Sequence, residues 1–313
     1  QQLFMQDSRK TCPYRTFDKL RETKKLMNAF IDPDGEFDYV VNLAAETKYG
    51  QTEPVYQDGV FRLSINCAQE AARKNVKRYI EFSAGQMNSS DKKPCKEDCK
   101  CYPWTHLAKH KLMVENHLKQ ISDLDYVIVR PAIVYGVGDR NGLSMYRFCC
   151  QKIKILGMLW TKDLEMNTVH VDDVCSAVWH LCLHGYNGEI YNVVDDGNTT
   201  QGRISELVSE LFDIKCSFVG SALSNLAQVH MSSAVEDIND KHMDPWVDAC
   251  RRDNIENTPL NPFIDQELLY NKHVHLDGSK LKQIGFQYSI PELKLEHLKE
   301  RMNLVPRNLG EQK

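Results

Sequence analysis

Glycine is missing from the start of this sequence: Gly35 is the first of 16. A strand followed by GxxGxxG, whose backbone N–H groups would hold a pyrophosphate at a helix N-terminus, is therefore excluded between Gln1 and Asp34. No apolar run exceeds strand length, which excludes a transmembrane helix. Basic runs are absent too, and 39 Lys and Arg against 43 Asp and Glu leave a net charge of −4. Neither nucleic acid nor an anionic membrane is expected as a partner. The 11 cysteines are odd in number and no secretory leader is visible. Reduced thiols and a cytoplasmic location are the expectation. Cys95, Cys99 and Cys101, followed by His106 and His110, lack a CxxC knuckle. The cysteines are expected to sit in a polar loop that carries thiols, with no metal, and the two histidines on a helix with other duties. The chain begins with Gln1 rather than Met, so a fragment lacking an upstream segment is expected.

What is present is ordinary for a globular protein: 42% hydrophobic and 26% charged residues in a chain of 313. Its organising stretch is DYVIVRPAIVYGVGDR, residues 125–140. Asp125 to Val129 has the β-branched and aromatic bias of a buried strand. At its carboxyl end Arg130, Pro131, Tyr135, Gly136, Gly138 and Arg140 follow closely. Ligands of open α/β sheets sit beyond the carboxyl ends of the strands, so functional groups are expected there.

Similar strands are expected near 38–44, 78–83 and 190–194, each entered from a helix-period segment or a turn. Phe17, Leu20, Met27 and Phe30 mark one face of a covering helix ended by Asp32, Pro33 and Gly35. A second helix is expected over 54–75. A third runs over 105–119 with Thr105 as N-cap, after a polar loop at 88–104. Leu143 to Gln151 also reads as helical. In VHVDDV, Asp172 and Asp173 suit the positive end of a helix dipole. Ile204, Leu207, Val208 and Leu211 define another amphipathic helix. The fold class expected is α/β, with strand–helix–strand crossovers putting Ala45, Ser83 and Arg130 on one sheet edge.

The wording of these elements closely resembles the extended short-chain dehydrogenase/reductase family, the NAD-dependent epimerases and dehydratases of the dTDP-glucose 4,6-dehydratase type. RPAIVYGVGDR is similar to RPxxVYGPGxR, VVNLAAE to VxHLAA, HVDDVCSA to HVDDVAxA, and LDGSKLKQIGF to DxSKLxxLGF. The resemblance implies a Rossmann-like doubly wound parallel sheet whose first βαβ unit is missing, over 1–200, and a smaller C-terminal substrate lobe over 201–313. The segment near 273–286 would close over the site. It further implies NAD or NADP as cofactor and a nucleotide-sugar-type ligand. Ala44, Ala45, Lys111, Arg130 and Pro131 would line the cofactor, and Glu46, Tyr135, Arg140 and Asn192 the substrate. Homodimer pairing would use helices around 55–74 and 105–119. Ser83 falls where the family hydrogen-bonds the oxidised hydroxyl.

The family's Tyr-x-x-x-Lys pair is where this chain departs. HLAKHKLMVE aligns with YxxxKLxxE when Lys111 is the lysine, which puts Leu107 in the tyrosine place. Taking Lys109 as the lysine puts Thr105 there, so neither register supplies a phenol. Tyr102, His106 and His110 lie nearby. Two functions stay open: an epimerase/dehydratase-like enzyme with an unusual acid/base group, and a catalytically silent nucleotide-binding sensor or scaffold. Arg130 and Arg140 suit a diphosphate, and Arg130 equally suits a carboxylate at the strand end.

Overall fold

Four short strands pair in parallel to make the main sheet of the computed structural model, which describes residues 37–139, 155–252, 254 and 262–304. The expected helices at 17–30 and 143–151, and Arg140, lie outside the described residues. The strands are β1 (Tyr39–Asn42), β2 (Arg78–Phe82), β3 (Tyr126–Pro131) and β7 (Ile190–Val193), in that spatial order. All three pairings are parallel. The expectation for these strands is borne out to within two residues at each end.

Helix α1 crosses from β1 to β2 as Glu53–Tyr56, a turn and a half of π-helix over Gln57–Arg62, and Leu63–Arg73. Helix α2 (His106–Leu118) crosses from β2 to β3. Thr105 caps α2 as expected, its hydroxyl accepting from Ala108 N–H at 3.1 Å. Helix α3 (Val171–His184) leads into β7.

Because side chains alternate along a strand, each strand feeds two cores. Val127 and Val129 of β3 join Ile80, Val193, Val174, Ala177, Val178 and Leu181 on the α3 side. Tyr126 and Ile128 join Tyr79, Ala68, Ala71, Val114 and Leu118 on the α1/α2 side. The result is a sheet covered on both faces, as parallel sheets require.

Two further parallel pairs flank this sheet. β4 (Ile133–Tyr135) pairs with β6 (Thr168–His170), and β5 (Ile155–Met158) with β8 (Lys215–Phe218). Helix α4 (Gln201–Phe212) packs Ile204, Leu207 and Val208 on Leu156, Ile214, Leu293 and Leu298 as a third core. Helices α5 (Gly220–Val229) and α6 (Met231–Arg252) follow. The pairing of β5 with β8 joins residues from either side of position 200. The segment from Val274 to α7 (Ser279–Gln283) lies against the main sheet, with Val274, Leu276 and Leu281 buried in the α3-side core. Helix α8 (Leu295–Leu304) closes the described chain.

Candidate functional site

Parallel pairing brings all four carboxyl ends to one edge. Asn42 stands opposite Glu81, Phe82 opposite Val129, and Arg130 opposite Asn192. Ser83 N–H continues the ladder by donating to Val129 O at 2.8 Å. Ala45, Ser83 and Arg130 therefore share the edge, as expected.

Helix α2 runs antiparallel to the strands, so its first turns lie at this edge. Lys111 and Glu115 are four residues apart and share its inner face. Lys111 Nζ donates to Glu81 Oε1 at 3.0 Å, and both side chains are buried. Asn42 Nδ2 (2.7 Å) and the Tyr79 hydroxyl (2.6 Å) donate to Glu81 Oε2, and the Ser64 hydroxyl donates to Oε1 at 2.9 Å. Four donors thus converge on one carboxylate from β1, α1, β2 and α2. Burial, and then the charge of Glu81, push the Tyr79 phenol well above its ordinary pKa. Burial likewise drives the nearby Cys67 thiol up to about 12. Both stay protonated, Tyr79 as a donor to Glu81.

Glu115 forms the second buried pair. Arg130 grips it with Nε (2.9 Å to Oε1) and Nη2 (2.6 Å to Oε2), a bidentate fork. The Ser83 hydroxyl donates to the same Oε1 at 2.5 Å. Of the two roles open to Arg130, the carboxylate is the one present. The loop 88–104 finishes the guanidinium: Nη1 donates to Glu97 O at 3.2 Å and Nη2 to Cys101 Sγ at 3.4 Å.

Asn192 is also fully engaged on its donor side. Its backbone N–H donates to Glu97 Oε1 at 2.9 Å, and Nδ2 donates to Cys95 O and Asp277 O at 3.1 and 3.0 Å. Burial raises the Glu97 carboxyl. The 273–277 segment holds the outer side of the same loop, with Cys95 N–H on His275 O and Asp277 N–H on Cys95 O.

The remaining residues singled out in the sequence are nearer the surface or packed elsewhere. Ala44, Ala45 and Pro131 are half-buried at the edge. Ala44 N–H donates to Asn42 Oδ1 at 3.1 Å, and Glu46 N–H donates to Gly59 O at 2.9 Å. Tyr135 is buried, edge-on to His170 with ring centroids 5.1 Å apart. Gly136, next to it, has φ +119°, and a Cβ there would stand 2.9 Å from His170 Nε2. The His170 ring itself caps α3, Nδ1 accepting from Asp172 N–H at 3.2 Å. Asp172 and Asp173 lie in the first turn of α3 as expected, and the capping hydrogen bond itself comes from the histidine. Asp173 instead accepts from Ser289 and Ile290 N–H, both at 2.8 Å, and ties down the C-terminal segment.

Leu107 is half-buried one turn before Lys111. Of the phenols at this end, Tyr102 is 64% exposed with Lys100 over its ring. Burial pushes Tyr49 up and Tyr56 up to about 12, and the nearby Glu267 and Asp265 add to both shifts. A phenol that must take a proton needs the opposite shift. Glu267 accepts from the His106 backbone N–H at 2.5 Å, so a carboxylate already seats on the first turn of α2. His106 and His110 stack on Tyr56, with His110 Nδ1 donating to His106 O at 2.8 Å.

Glu81, Glu97 and Glu267 escaped the reading of the sequence. Only Glu81 carried a signal: an acid in the middle of YIEF, a run otherwise fit for a buried strand. Among the described residues there is no group of three or more His, Cys, Asp or Glu that could hold a metal ion. Nor is any described helix long and apolar enough to cross a membrane.

Comparison with known proteins matches this architecture. No curated protein sequence matches. The UDP-N-acetylglucosamine 4-epimerase of Methanobrevibacter ruminantium, solved with UDP-N-acetylmuramic acid, superposes with a TM-score of 0.63 at 19% identity, covering 89% of this chain and 78% of that one. The UDP-glucose 4-epimerase of Thermus thermophilus, in complex with NAD, gives 0.63 at 16% identity, covering 91% and 83%. RMD from Pseudomonas aeruginosa, complexed with NADPH, gives 0.65 at 16% identity, covering 96% and 90%. At such identities the likeness is one of fold. The sequence pattern of the NAD dependent epimerase/dehydratase family matches residues 9–194, more than half of the chain. With the parallel sheet and its polar carboxyl edge in place, this chain belongs to the NAD dependent epimerase/dehydratase family.

Proposed function

We propose that this protein binds a nucleotide-type ligand, NAD or NADP with a nucleotide sugar, at the carboxyl edge of its sheet and lacks the family's standard oxidation of a sugar hydroxyl. One observation carries the proposal. Lys111 and Ser83, in the places the resemblance makes catalytic, are both committed to buried carboxylates, Glu81 and Glu115. Leu107 offers no proton, and Tyr49 and Tyr56 have their pKa values pushed upward. These groups do not fit a nicotinamide that receives a hydride while a phenol takes the proton.

Binding is supported by the groups that stay near the surface. Ala44, Ala45 and Pro131 would meet the cofactor and Glu46 the substrate; Arg140, outside the described residues, would join Glu46 there. Tyr135 and Asn192 would act by shaping the pocket from within. Residues 201–313 would supply the substrate lobe, and a homodimer would pair through α1 and α2. The likeness to epimerases solved with NAD and with a UDP-sugar supports the ligand class. A cytoplasmic sensor or scaffold accommodates binding without turnover.

Calorimetry on the full-length protein with NAD, NADPH and UDP-glucose, paired with product chromatography, tests this. Saturable binding without turnover is expected. Robust sugar-nucleotide turnover by the wild type, abolished by Tyr102→Phe, would return the protein to the ordinary enzymes.

A further inference from the structure

Glu81 is the most unusual residue in the main sheet. It is fully buried on a central strand, it bears a charge, and the family resemblance gives it no task. A buried carboxylate persists only when paired and hydrogen-bonded. Here the protein supplies Asn42, Ser64, Tyr79 and Lys111 for that purpose. Three of those donors are neutral, so Lys111 is the partner that balances the charge. Glu81 in turn dictates where the Lys111 ammonium can be. At 3.0 Å from Oε1, and with its side chain only 5% exposed, the Lys111 ammonium is held on the Glu81 carboxylate.

We propose that Glu81 is the positioning residue that withdraws Lys111 from ligand chemistry. Resting on the silent-site reading above, this adds a second lesion, independent of Leu107 and located on another element. Restoring the phenol alone would then leave a tyrosine without the neighbouring cation that lowers its pKa. Replacing Glu81 alone would free the lysine but supply no phenol. The two changes are expected to act together and not singly.

Chemical access to Lys111 gives a readout that needs no activity. Under limited acetylation followed by peptide mass spectrometry, Lys111 of the full-length wild type should react roughly 10-fold or more slowly than exposed Lys109, and NAD should leave its rate unchanged. Glu81→Gln should bring Lys111 up toward the rate of Lys109. In sugar-nucleotide turnover, the Leu107→Tyr and Glu81→Gln pair should exceed Leu107→Tyr by roughly 10²-fold, the usual worth of a competent general base.

Protection of wild-type Lys111 by NAD would overturn the proposal, because it would put the amine on the ligand. Equal turnover by Leu107→Tyr and the double variant would overturn it as well, while leaving the silent-site reading intact. Turnover by the wild type would instead defeat the silent-site reading. If Glu81→Gln gives no cooperative thermal transition, the wild-type labelling with and without NAD decides alone.

Discussion

The two faces of the main sheet solve the same packing problem in opposite ways. Toward α3 the contact is apolar apart from Arg78, whose guanidinium donates to Leu181 O and Cys182 O at 3.0 and 3.4 Å: Ile80, Val127, Val129 and Val193 meet Val174, Ala177, Val178 and Leu181. Toward α1 and α2 the half nearer the strands' amino ends is equally apolar, but the carboxyl half is ionic. Asn42, Glu81 and Arg130 there meet Ser64, Lys111 and Glu115. Apolar packing needs only shape and volume, so the α3 face tolerates repacking. An ionic contact needs each partner at hydrogen-bond distance, so it fixes the rotation and height of α2 on the sheet. The difference places the rigid, polar contact beside the edge where ligands of this fold bind, and the forgiving one on the far side.

Breaking one half of an ionic pair should have the largest effect. Arg130→Met leaves Glu115 buried without its fork and is expected to cost about 3 to 5 kcal/mol in urea unfolding. The double change Arg130→Met and Glu115→Leu should recover most of that loss, since two matched apolar groups carry no desolvation penalty. If the double variant were as unstable as the single one, the pair would owe its effect to packing, and the contrast between the faces would fail.

On the apolar face, Leu181→Ala should cost about 2 to 5 kcal/mol by opening a cavity beneath α3. It should cost the same across pH 5 to 8, because the leucine removed carries no titrating group. Arg78, which holds Leu181 O, does not titrate there, so a loss that changed with pH over that range would mean that some other charged group supports the apolar face.

Asp195, at the carboxyl end of β7, sharpens the comparison by titration. Burial raises its carboxyl to about 6, against the pull of the Thr168 hydroxyl and Gly197 N–H that hold it. A folded-state pKa above the unfolded value of about 3.9 means that the native state binds the proton more tightly. Its contribution is therefore fully present below pH 4 and lost as the pH rises through 6, on the order of 2 to 3 kcal/mol. Asp195→Asn should remove that part of the pH dependence in thermal melts. A wild-type profile that rises between pH 4 and 6 to the same extent with and without Asp195 would count against it.

Thr105→Ala is the smallest change. It removes the cap of α2 and the hydroxyl that donates to Gln86 at 3.0 Å, and about 1 kcal/mol is expected. Because the two ion pairs hold the middle of α2, hydrogen exchange should quicken at Ala108 and Lys109 and stay slow at Lys111 and Glu115. Uniformly faster exchange along α2 would show that the cap, not the pairs, anchors the helix.

Much of this protein was legible in its sequence. The four parallel strands follow from runs such as YVIV, where continuous β-branched and aromatic residues suit burial on both faces, and their order along the chain requires crossover helices. Thr105 was legible as a cap because capping is local chemistry, satisfied three residues away. That neither Leu107 nor Thr105 carries a phenol needed no structure at all. What the tertiary structure decided is which partner each charged side chain takes. Lys111 reaches Glu81 across 30 residues, and Arg130 reaches Glu115 across 15. Ser83 donates to that same carboxylate from another strand end. The pairings of β4 with β6 and β5 with β8 are likewise between distant segments. Sequence patterns report periodicity, and periodicity says which face a residue is on. Whether a lysine on that face meets a ligand or a carboxylate depends on the rotation of one helix over one strand, settled by burying every charge with a partner.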